Sequence, residues 1–410
     1  MSESPNMSES PNVPVSRFSR YETDITPEMI AGVERHSEFV TTGDIVDDRG
    51  RYWHQQHSDD YLPALRTGLQ VQWTFSKRCN FHCVHCFNNS HPRWDGKEAD
   101  PYAVADTIVE GAPYNVCMCG GEPLIWKPLC DIVEKLRRGG VPLISMVTNG
   151  FTATPQTIQK IYDAGITNLQ ISVDGTSDEE YRELRPVKNG YEHAVRTVEE
   201  SLKHDWQDLS ISFAPTSHNI GSWKKYCRYW ADHGVKHIRT QPLMPIGRGK
   251  ERLDLLPSDE QYQRFHMDTV ELDEELPGVY VDWGDPLEHL WFYTKTAAVP
   301  WCFGIQNNGW YELSCYIPVL LGSALEHSME EFWDLDVKRL WEAPIMKRFA
   351  DTMMHMAGMS HLDLPIYDEE SLHIDVFDEE QLEIFLETDD LEVLKKISAK
   401  NLGRQASAGP

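Results

Sequence analysis

Long apolar runs are missing from this chain of 410 residues, and no stretch of about 18 or more consecutive apolar residues occurs. We therefore expect no transmembrane helix and no membrane partner. The N-terminal sequence MSESPNMSESPN is a tandem polar hexapeptide without the basic start or the apolar core of a signal peptide. These absences predict a cytoplasmic protein.

Positive charge is also scarce, because 38 Lys and Arg stand against 65 Asp and Glu, which gives a net charge of −27. A nucleic-acid partner is not expected, since nucleic-acid binding requires a basic face. The acidity is concentrated at residues 367–393. We interpret this stretch as a solvated surface that aids solubility, and docking of a basic partner is the alternative.

A fourth cysteine is missing from the stretch CNFHCVHC, in which Cys79, Cys83 and Cys86 follow one another closely. Clustered cysteines in a long cytosolic chain more often bind metal or do redox work than form disulfides. Three thiolates can bind three irons of a [4Fe–4S] cluster and leave the fourth iron open. Structural zinc prefers four ligands, and His82 or His85 would have to complete its shell. The spacing favours iron–sulfur, with zinc as the alternative.

Residues 69–250 alternate strand-like and helix-like segments in six units. Such alternation predicts right-handed βαβ crossovers and a parallel sheet. Polar loops follow the end of nearly every predicted strand, and in a barrel these ends share one face, where active sites are built. An open doubly wound sheet would also place its site at strand ends, but at a single crevice. We therefore predict an α/β barrel.

The pattern changes on both sides of this region. Residues 1–68 are predicted to form an N-terminal extension, of which the first 12 or so are expected to be disordered. Residues 251–365 are predicted to form a smaller second lobe, which contains WCFGIQNNGWYELSC, and residues 366–410 an acidic C-terminal segment.

The strand-end motifs, taken in order, resemble those of the radical S-adenosylmethionine (SAM) superfamily. They are the Cys-x3-Cys-x2-Cys loop, GGEP (120–123), TNG (148–150), ISVDG (171–175) and PIGRGKE (245–251). The resemblance implies a partial (βα)6 TIM-like barrel for the core domain, residues 69–250. It also implies that Cys79, Cys83 and Cys86 hold a [4Fe–4S] cluster whose open iron binds SAM. One-electron cleavage of SAM would then give a 5′-deoxyadenosyl radical that takes a hydrogen atom from the substrate.

The same resemblance implies a set of SAM contacts. Glu122 would accept hydrogen bonds from the methionine ammonium group, and Arg185 would pair with the methionine carboxylate. Gly120 and Gly121 have no side chains and would allow a ligand to approach the backbone closely. The ribose would meet Asn149, Ser172 and Asp174. The adenine would lie against Phe87, Ile246 and Gly247.

The second lobe resembles the start of the SPASM or twitch extension carried by one branch of the superfamily, through Cys302 and Cys315. No cysteine follows position 315, so this lobe alone cannot supply a four-cysteine auxiliary cluster. Three interpretations stay open: a lobe without a cluster, a cluster with borrowed ligands such as Cys227 or His355, or a thiol that donates a hydrogen atom, as an epimerase would need. Cys119 is a lesser candidate for such a donor.

These observations predict a radical SAM enzyme, of oxidoreductase, epimerase or maturase type, that modifies a natural product. The substrate would be a peptide or an aminoglycoside or aminocyclitol sugar, and the reaction epimerisation or dehydrogenation. A reducing partner such as flavodoxin or ferredoxin is implied. Only 68 residues precede the first predicted strand, which weakens the case for a built-in leader-binding domain, and the acidity suits a cationic substrate. The alternative is a non-catalytic iron–sulfur electron-transfer or zinc-binding protein.

Overall fold

The computed structural model describes residues 44–46, 52–54, 67–244, 246–283, 290, 293–294, 300–354 and 371–407. The predicted disordered residues 1–12 and the candidate ligand His355 lie outside these ranges. The largest element is an eleven-stranded sheet with the strand order β13-β12-β11-β10-β3-β4-β5-β6-β7-β8-β9. A separate antiparallel pair is formed by β1 (Asp44–Val46) and β2 (Tyr52–His54).

The strands of the large sheet fall into two groups. Pairing is parallel from β10 through β3 and on to β9, and antiparallel between β10 and β11 and between β11 and β12. The bounds are β3 Gln70–Ser76, β4 Asn115–Gly120, β5 Leu143–Thr148, β6 Asn168–Ser172, β7 Asp208–Phe213, β8 His237–Thr240, β9 Tyr280–Trp283, β10 Cys302–Ile305, β11 Trp310–Glu312, β12 Val319–Ser323 and β13 Leu372–Ile374.

Helices connect the parallel strands, as the alternation in the sequence predicts. Those between β3 and β9 are Pro101–Gly111, Leu129–Arg138, Pro155–Ala164, Asp178–Leu184, Gly190–Ser201, Trp223–Asp232 and Asp259–Glu275, with 3-10 turns at Pro123–Ile125, Ile220–Ser222, Gly247–Glu251 and Leu253–Leu255. Those after β12 are Met329–Asp334, Val337–Trp341, Pro344–Met354, Glu379–Glu387 and Leu391–Ser407. The predicted parallel α/β architecture is confirmed, and strands β3 to β8 form its partial barrel.

Local sequence signals account for the helix boundaries. The hydroxyl of Thr154 accepts a hydrogen bond from the Thr157 backbone N–H at 3.1 Å, and Pro155 occupies the first helical turn. Gly165 ends this helix with a positive φ of 110°, which glycine adopts without steric strain. These three residues therefore fix the two ends of the helix.

The two faces of the barrel strands differ in chemistry. Along β3, Val71 and Trp73 are buried in the large hydrophobic cluster that also contains residues of the surrounding helices. The alternate residue Gln72 is partly exposed, and the strand register places it beside Cys117 of β4, which in turn pairs with Ser145 of β5. A parallel strand buried on both faces is normally apolar throughout. The inner face of this sheet is instead lined by polar side chains.

The C-terminal part of the chain extends the same sheet. Strand β10 pairs with β3, and β9 pairs with β8, so the sheet continues beyond residue 250 at both edges of the barrel. The division of the chain at residue 250 thus remains a prediction about domains and does not mark an end of the sheet. Within the ranges described above, no helix combines the length and the apolar character needed to cross a membrane.

The acidic segment is anchored by apolar residues. Strand β13 buries Leu372 and Ile374, and the two helices that follow it bury Phe385 and Leu394. The acidic side chains of the helix 379–387 occupy its more exposed positions. Over residues 371–407 this segment is therefore part of the folded structure, since β13 pairs with β12, and its acidic side chains face solvent.

Candidate functional site

The cysteine loop, residues 79–91, follows the carboxyl end of β3. Cys79 and Cys83 are 9% and 7% exposed, and Cys86 is partly exposed. The two ends of the loop are joined by hydrogen bonds from Cys79 N–H to the His91 carbonyl at 3.3 Å and from His91 N–H to the Lys77 carbonyl at 3.2 Å. The three predicted ligands thus share one closed loop at the end of the barrel where the sequence places the site.

Arg248 binds the cysteine loop from the segment after β8. Its Nε donates to the Cys83 carbonyl at 2.7 Å, its Nη2 to the Ser90 carbonyl at 2.8 Å, and its backbone N–H to the Cys86 carbonyl at 3.0 Å. The sequence reasoning missed this residue, although it lies within the motif PIGRGKE. The only indication in the sequence was a charged residue between two glycines. Its role could not be predicted because the groups that it binds are far away in the sequence.

Gly247, which has no side chain, allows the segment after β8 to lie this close to the cysteine loop. Its φ is +54°, and a Cβ atom there would lie 2.4 Å from the carbonyl oxygens of Cys86 and Phe87. Of the predicted adenine neighbours, Gly247 therefore lies against the loop, and Ile246 is buried at 6% exposure. The Phe87 ring lies 5.3 Å from the ring of Tyr316 in the second lobe, so both lobes contact this segment.

The two glycines of GGEP contact the backbone that leads into the cysteine loop. A Cβ at Gly120 would lie 2.4 Å from the Ser76 carbonyl oxygen, and one at Gly121 only 1.9 Å from that of Arg78. The Gly121 N–H donates to the Ser76 carbonyl at 2.7 Å. We expected these glycines to admit a ligand, but in this structure the neighbour that requires them is the backbone leading into the cysteine loop.

Glu122 joins two of the predicted motifs. Its Oε1 accepts hydrogen bonds from the Thr148 hydroxyl at 2.5 Å and the Leu124 N–H at 3.0 Å, and its Oε2 accepts one from the Asn149 N–H at 2.8 Å. The side chain is 1% exposed. Burial raises the pKa of Glu122 above its ordinary value, while these hydrogen bonds act in the opposite direction. Since a carboxylate oxygen accepts about two hydrogen bonds, Oε2 retains one acceptor position.

Asn149 connects the TNG motif with the cysteine loop. Its Nδ2 donates to Asn80 Oδ1 at 2.9 Å and lies 3.9 Å from the sulfur of Cys79. Its Oδ1 accepts from the Phe151 N–H at 3.0 Å. Asn149, which we predicted to contact the ribose, therefore also contacts the cysteine loop beside Cys79, one of the candidate cluster ligands.

Asp174 and Arg185 bind each other. The distance from Arg185 Nε to Asp174 Oδ2 is 2.6 Å, and Asp174 Oδ1 accepts from the Ala214 N–H at 2.8 Å. Arg185 Nη1 lies 3.8 Å from the sulfur of Cys83. We predicted separate contacts with the ribose and the methionine carboxylate, whereas the structure pairs the two side chains. The third residue of this region, Ser172, lies beside Ser212 in the sheet and is 6% exposed.

The two histidines of the loop differ in surroundings. His85 Nε2 lies 3.9 Å from Asp174 Oδ2. Burial and, to a smaller extent, the charge of the neighbouring Arg185 lower the pKa of His85 to about 4. His82 is exposed, and its ring lies 6.3 Å from that of His91. Among the residues that the structure describes, no three His, Cys, Asp or Glu side chains converge in a way that would hold a single metal ion.

The surroundings of Cys79 and Cys83 suit thiolate ligands of an iron–sulfur cluster. Burial raises the pKa of the Cys79 thiol, and it raises that of Cys83 to about 11 while the Arg185 guanidinium opposes the shift. The Phe81 N–H points to the Cys79 sulfur at 3.4 Å. Thiols of this kind lose their protons when a metal binds, and nearby N–H groups and a guanidinium stabilise the thiolates that result.

The structure separates the two candidate cysteines of the second lobe. Cys302 pairs with Gln70, six residues before the end of β3, which puts it roughly 20 Å from the carboxyl end of the strand. Cys315 is 3% exposed, and burial raises its pKa with further contributions from the nearby Glu312 and Cys119. Cys119 is the second-last residue of β4, directly before the first glycine of GGEP. Cys315 therefore lies at the site end of the barrel, and Cys302 at the other end.

Comparison with known proteins agrees with this geometry. Residues 73–220 match the model of the Radical SAM superfamily. A probable GTP 3′,8-cyclase of Metallosphaera sedula is 25% identical over 211 residues, which are 51% of this chain and 63% of that protein. Mycofactocin maturase MftC of Mycolicibacterium smegmatis is 29% identical over 212 residues, 51% of this chain and 53% of that protein. The chain thus spans between half and two thirds of these relatives' length.

Solved structures share the fold over a larger part of the chain. Streptococcus suis SuiB bound to the precursor peptide SuiA superposes with a TM-score of 0.52 and 10% identity, covering 84% of this chain and 80% of that one. The enzyme anSMEcpe with bound AdoMet and Cp18Cys peptide gives a TM-score of 0.52 and 16% identity, covering 66% of this chain and 81% of that one. The ordered motifs, the parallel barrel and the family match agree, and the chain carries a radical SAM superfamily domain that spans residues 73–220.

Proposed function

We propose that this protein is a radical SAM enzyme that modifies a peptide. The observation that carries the proposal is the cysteine loop, which holds three thiols at the carboxyl end of a parallel barrel and is bound there by the GGEP, TNG and GRG segments. The peptide substrate is supported by the named peptides bound to SuiB and anSMEcpe. An aminoglycoside-type sugar is the second substrate class, which the acidic chain would also suit.

Cys79, Cys83 and Cys86 would hold a [4Fe–4S] cluster. Together with SAM, such a cluster supplies a one-electron cleavage that starts radical chemistry on an unreactive C–H bond. Three thiolates would bind three irons and would leave the fourth iron of such a cluster open to SAM. A zinc site would instead need a fourth ligand, such as a histidine of the loop. A flavodoxin or ferredoxin would deliver the electron.

The residues around the loop would position SAM. The acceptor position left on Glu122 Oε2 would take the methionine ammonium group, because the other three positions are filled by protein donors. Phe87 and Ile246 would line the adenine, and Asn149 and Ser172 would offer polar groups to the ribose. Arg185 would reach the carboxylate with the guanidinium nitrogens that its bond to Asp174 leaves available.

Cys315 is the better-placed candidate for a hydrogen donor, since it lies at the site end of the barrel near Cys119. Replacing Cys315 by Ala should abolish hydrogen return to the substrate and leave 5′-deoxyadenosine formation intact. The matched Cys302→Ala variant should behave as the wild type, because Cys302 lies at the opposite end of β3. Equal effects of the two substitutions would contradict a donor role for Cys315.

The proposal is tested by anaerobic reconstitution with iron and sulfide, followed by reduction in the presence of SAM. We expect about four irons per chain, an EPR signal that SAM changes, and 5′-deoxyadenosine as a product. Zinc without iron in an anaerobic preparation would favour the zinc-binding alternative. A cluster whose signal is indifferent to SAM would favour an electron-transfer protein. Supplying candidate peptides and sugars then distinguishes the two substrate classes by mass spectrometry.

A further inference from the structure

The segments around the cysteine loop carry a charge opposite to that of the chain as a whole. Residues 77–97 contain the loop and both of its ends, and residues 246–251 contain Arg248, which binds the loop. Together they hold six basic residues, Lys77, Arg78, Arg93, Lys97, Arg248 and Lys250, and two acidic ones, Asp95 and Glu251. The whole chain has 38 Lys and Arg against 65 Asp and Glu. A local excess of positive charge in so acidic a protein favours a negatively charged partner at this place.

Two of these basic residues lie on either side of His91. The backbone of Arg78 forms an isolated parallel bridge with that of His91, and the Arg93 N–H donates to His91 Nδ1 at 3.2 Å. The ring of His82 lies 6.3 Å from that of His91. The side chains of Arg78, His82 and Arg93 are exposed. The two arginines and the tip of the loop therefore share one part of the protein surface.

Lys250 reaches the same part of the surface from the segment after β8. Arg248 is bound to the carbonyls of Cys83 and Ser90, which directly follow His82 and directly precede His91. A Cβ atom at Gly249 would lie 3.7 Å from the His85 carbonyl oxygen, and the partly exposed Lys250 comes next. We call the surface formed by Arg78, Arg93 and Lys250 the basic surface.

The charges of the basic surface are not neutralised by the protein. Arg78, Arg93 and Lys250 make no ion pair within the part of the chain that the structure describes. Basic residues elsewhere do make such pairs, as Arg228 does with Glu275 on the outer helices. The three cations of the basic surface are therefore available to the carboxylates of another molecule.

The position of the basic surface indicates which molecule this is. Cys86 is more exposed than Cys79 and Cys83, and it lies in the loop that the basic surface surrounds. Because electron transfer slows steeply with distance, an electron donor must dock close to the proposed cluster. A compact acidic protein could touch the basic surface alone, whereas a long nucleic acid would extend onto the acidic remainder of the chain.

We propose that the basic surface docks an acidic protein that carries a one-electron donor, either a reduced flavin or a reduced iron–sulfur cluster. The donor cofactor is oxidised by one electron and the cluster held by the loop is reduced by one, with no bond or proton exchanged between the two proteins. This inference rests on the proposed function, since only reductive cleavage of SAM requires such a donor. The acidic remainder of the chain repels the donor and so orients it toward the loop.

The test uses the double variant Arg78→Glu with Arg93→Glu and an acidic flavodoxin as the probe. The affinity of the reconstituted protein for flavodoxin is measured anaerobically by titration at several salt concentrations. Wild-type affinity should fall as salt rises, because salt screens charges at an exposed surface. At low salt the double variant should bind roughly 10-fold more weakly than the wild type, with a smaller dependence on salt.

The matched control is the double variant Arg196→Glu with Arg339→Glu. Both arginines are exposed, on the helices 190–201 and 337–341, and the substitutions change the net charge by the same amount. The control should bind flavodoxin nearly as well as the wild type. Equal losses in the two double variants would show that only net charge matters and would overturn the inference, as would wild-type binding that salt does not weaken.

A chemical reductant separates this inference from the proposed function. After complete reduction by excess dithionite, the wild type and the Arg78→Glu, Arg93→Glu variant should form 5′-deoxyadenosine equally fast, whereas reduction by flavodoxin should be slower in the variant. A wild type that forms none with dithionite would overturn the proposed function. A variant that forms it with dithionite and still binds flavodoxin like the wild type would overturn this inference alone.

Two further measurements complete the test. If the double variant does not fold, Lys250→Glu probes the other side of the basic surface, and it should also weaken flavodoxin binding. An acidic candidate peptide is titrated in parallel. A variant that loses affinity for this peptide and keeps its affinity for flavodoxin would assign the basic surface to the substrate and overturn the inference.

Discussion

Replacing Arg185 by Met should strongly destabilise the protein even before any cofactor binds. The Arg185 side chain is 13% exposed and that of Asp174 only 2%, with 2.6 Å between Nε and Oδ2. Removing the guanidinium leaves a buried carboxylate with the Ala214 N–H as a remaining donor. Breaking one side of a buried ion pair costs about 3–5 kcal/mol, since the charge left behind has lost its compensation.

The measurement is the free energy of unfolding of the cluster-free protein, from urea titration under reducing, anaerobic conditions. The double variant Asp174→Asn with Arg185→Met should recover much of the loss, because no uncompensated charge remains. Arg228→Met is the matched control, since the Arg228–Glu275 pair has similar distances of 2.6 and 2.8 Å but both side chains are more than 40% exposed. An exposed pair of this kind contributes about 0–1 kcal/mol.

The reasoning would be refuted if Arg185→Met and Arg228→Met lost similar amounts of stability, or if the double variant were no better than the single one. The loaded protein gives a second measurement. Arg185 Nη1 lies 3.8 Å from the Cys83 sulfur, and a nearby cation favours the more negative, reduced form of a cluster. The reduction potential of the reconstituted Arg185→Met protein should therefore be more negative than that of the wild type.

Three further predictions concern single residues. Arg248→Met should reduce the iron retained after reconstitution, because two loop carbonyls lose charged donors worth about 1.5–3 kcal/mol each; unchanged iron content would contradict its role in holding the loop. Glu122→Gln should destabilise the unloaded chain by about 1–3 kcal/mol, because the single oxygen of an amide cannot accept hydrogen bonds from all three protein donors. An unchanged melting temperature would contradict this network. Burial, opposed by Glu312 and Cys86, lowers the pKa of Lys77 to about 7. The unfolded chain then binds more protons than the folded one between about pH 7 and pH 10, so stability should rise with pH there by at most about 1.4 kcal/mol per pH unit. Lys77→Met should lose this slope, and an unaltered slope would refute the assignment.

The motifs of the site could be predicted because they are local in sequence and tied to strand ends. Alternating apolar segments predicted parallel βα units, and the carboxyl ends of parallel strands meet at one edge. The positions of the cysteine loop, GGEP and TNG at that edge follow from this rule. The role of Gly121 could not be predicted, because the Arg78 carbonyl that it contacts is distant in sequence and lies beyond the end of β3.

Pairings between polar side chains could not be predicted from the sequence. Asp174 and Arg185 were predicted to contact two parts of one ligand, and the structure shows in addition that they bind each other. Arg248 was missed because it acts on carbonyls some 160 residues away, as the contact with Cys83 shows. The strand register likewise distinguishes Cys302 from Cys315. Only the pairing of β10 with β3 shows that Cys302 lies at the end of β3 opposite to the site.

The sequence by itself determined the resemblance to the radical SAM superfamily, through its ordered motifs. It also determined the three closely spaced thiols and the parallel α/β architecture, since these depend on spacing along the chain and on the periodicity of apolar residues. Only the tertiary structure decided how the second lobe joins the barrel, which of its cysteines lies at the site, and which polar atoms are already occupied by protein partners. The physical reason is that hydrogen bonds and burial are made between segments that are far apart in sequence. A pattern of residue types specifies which groups are available, and the packing of the folded chain specifies which of them remain available to a ligand.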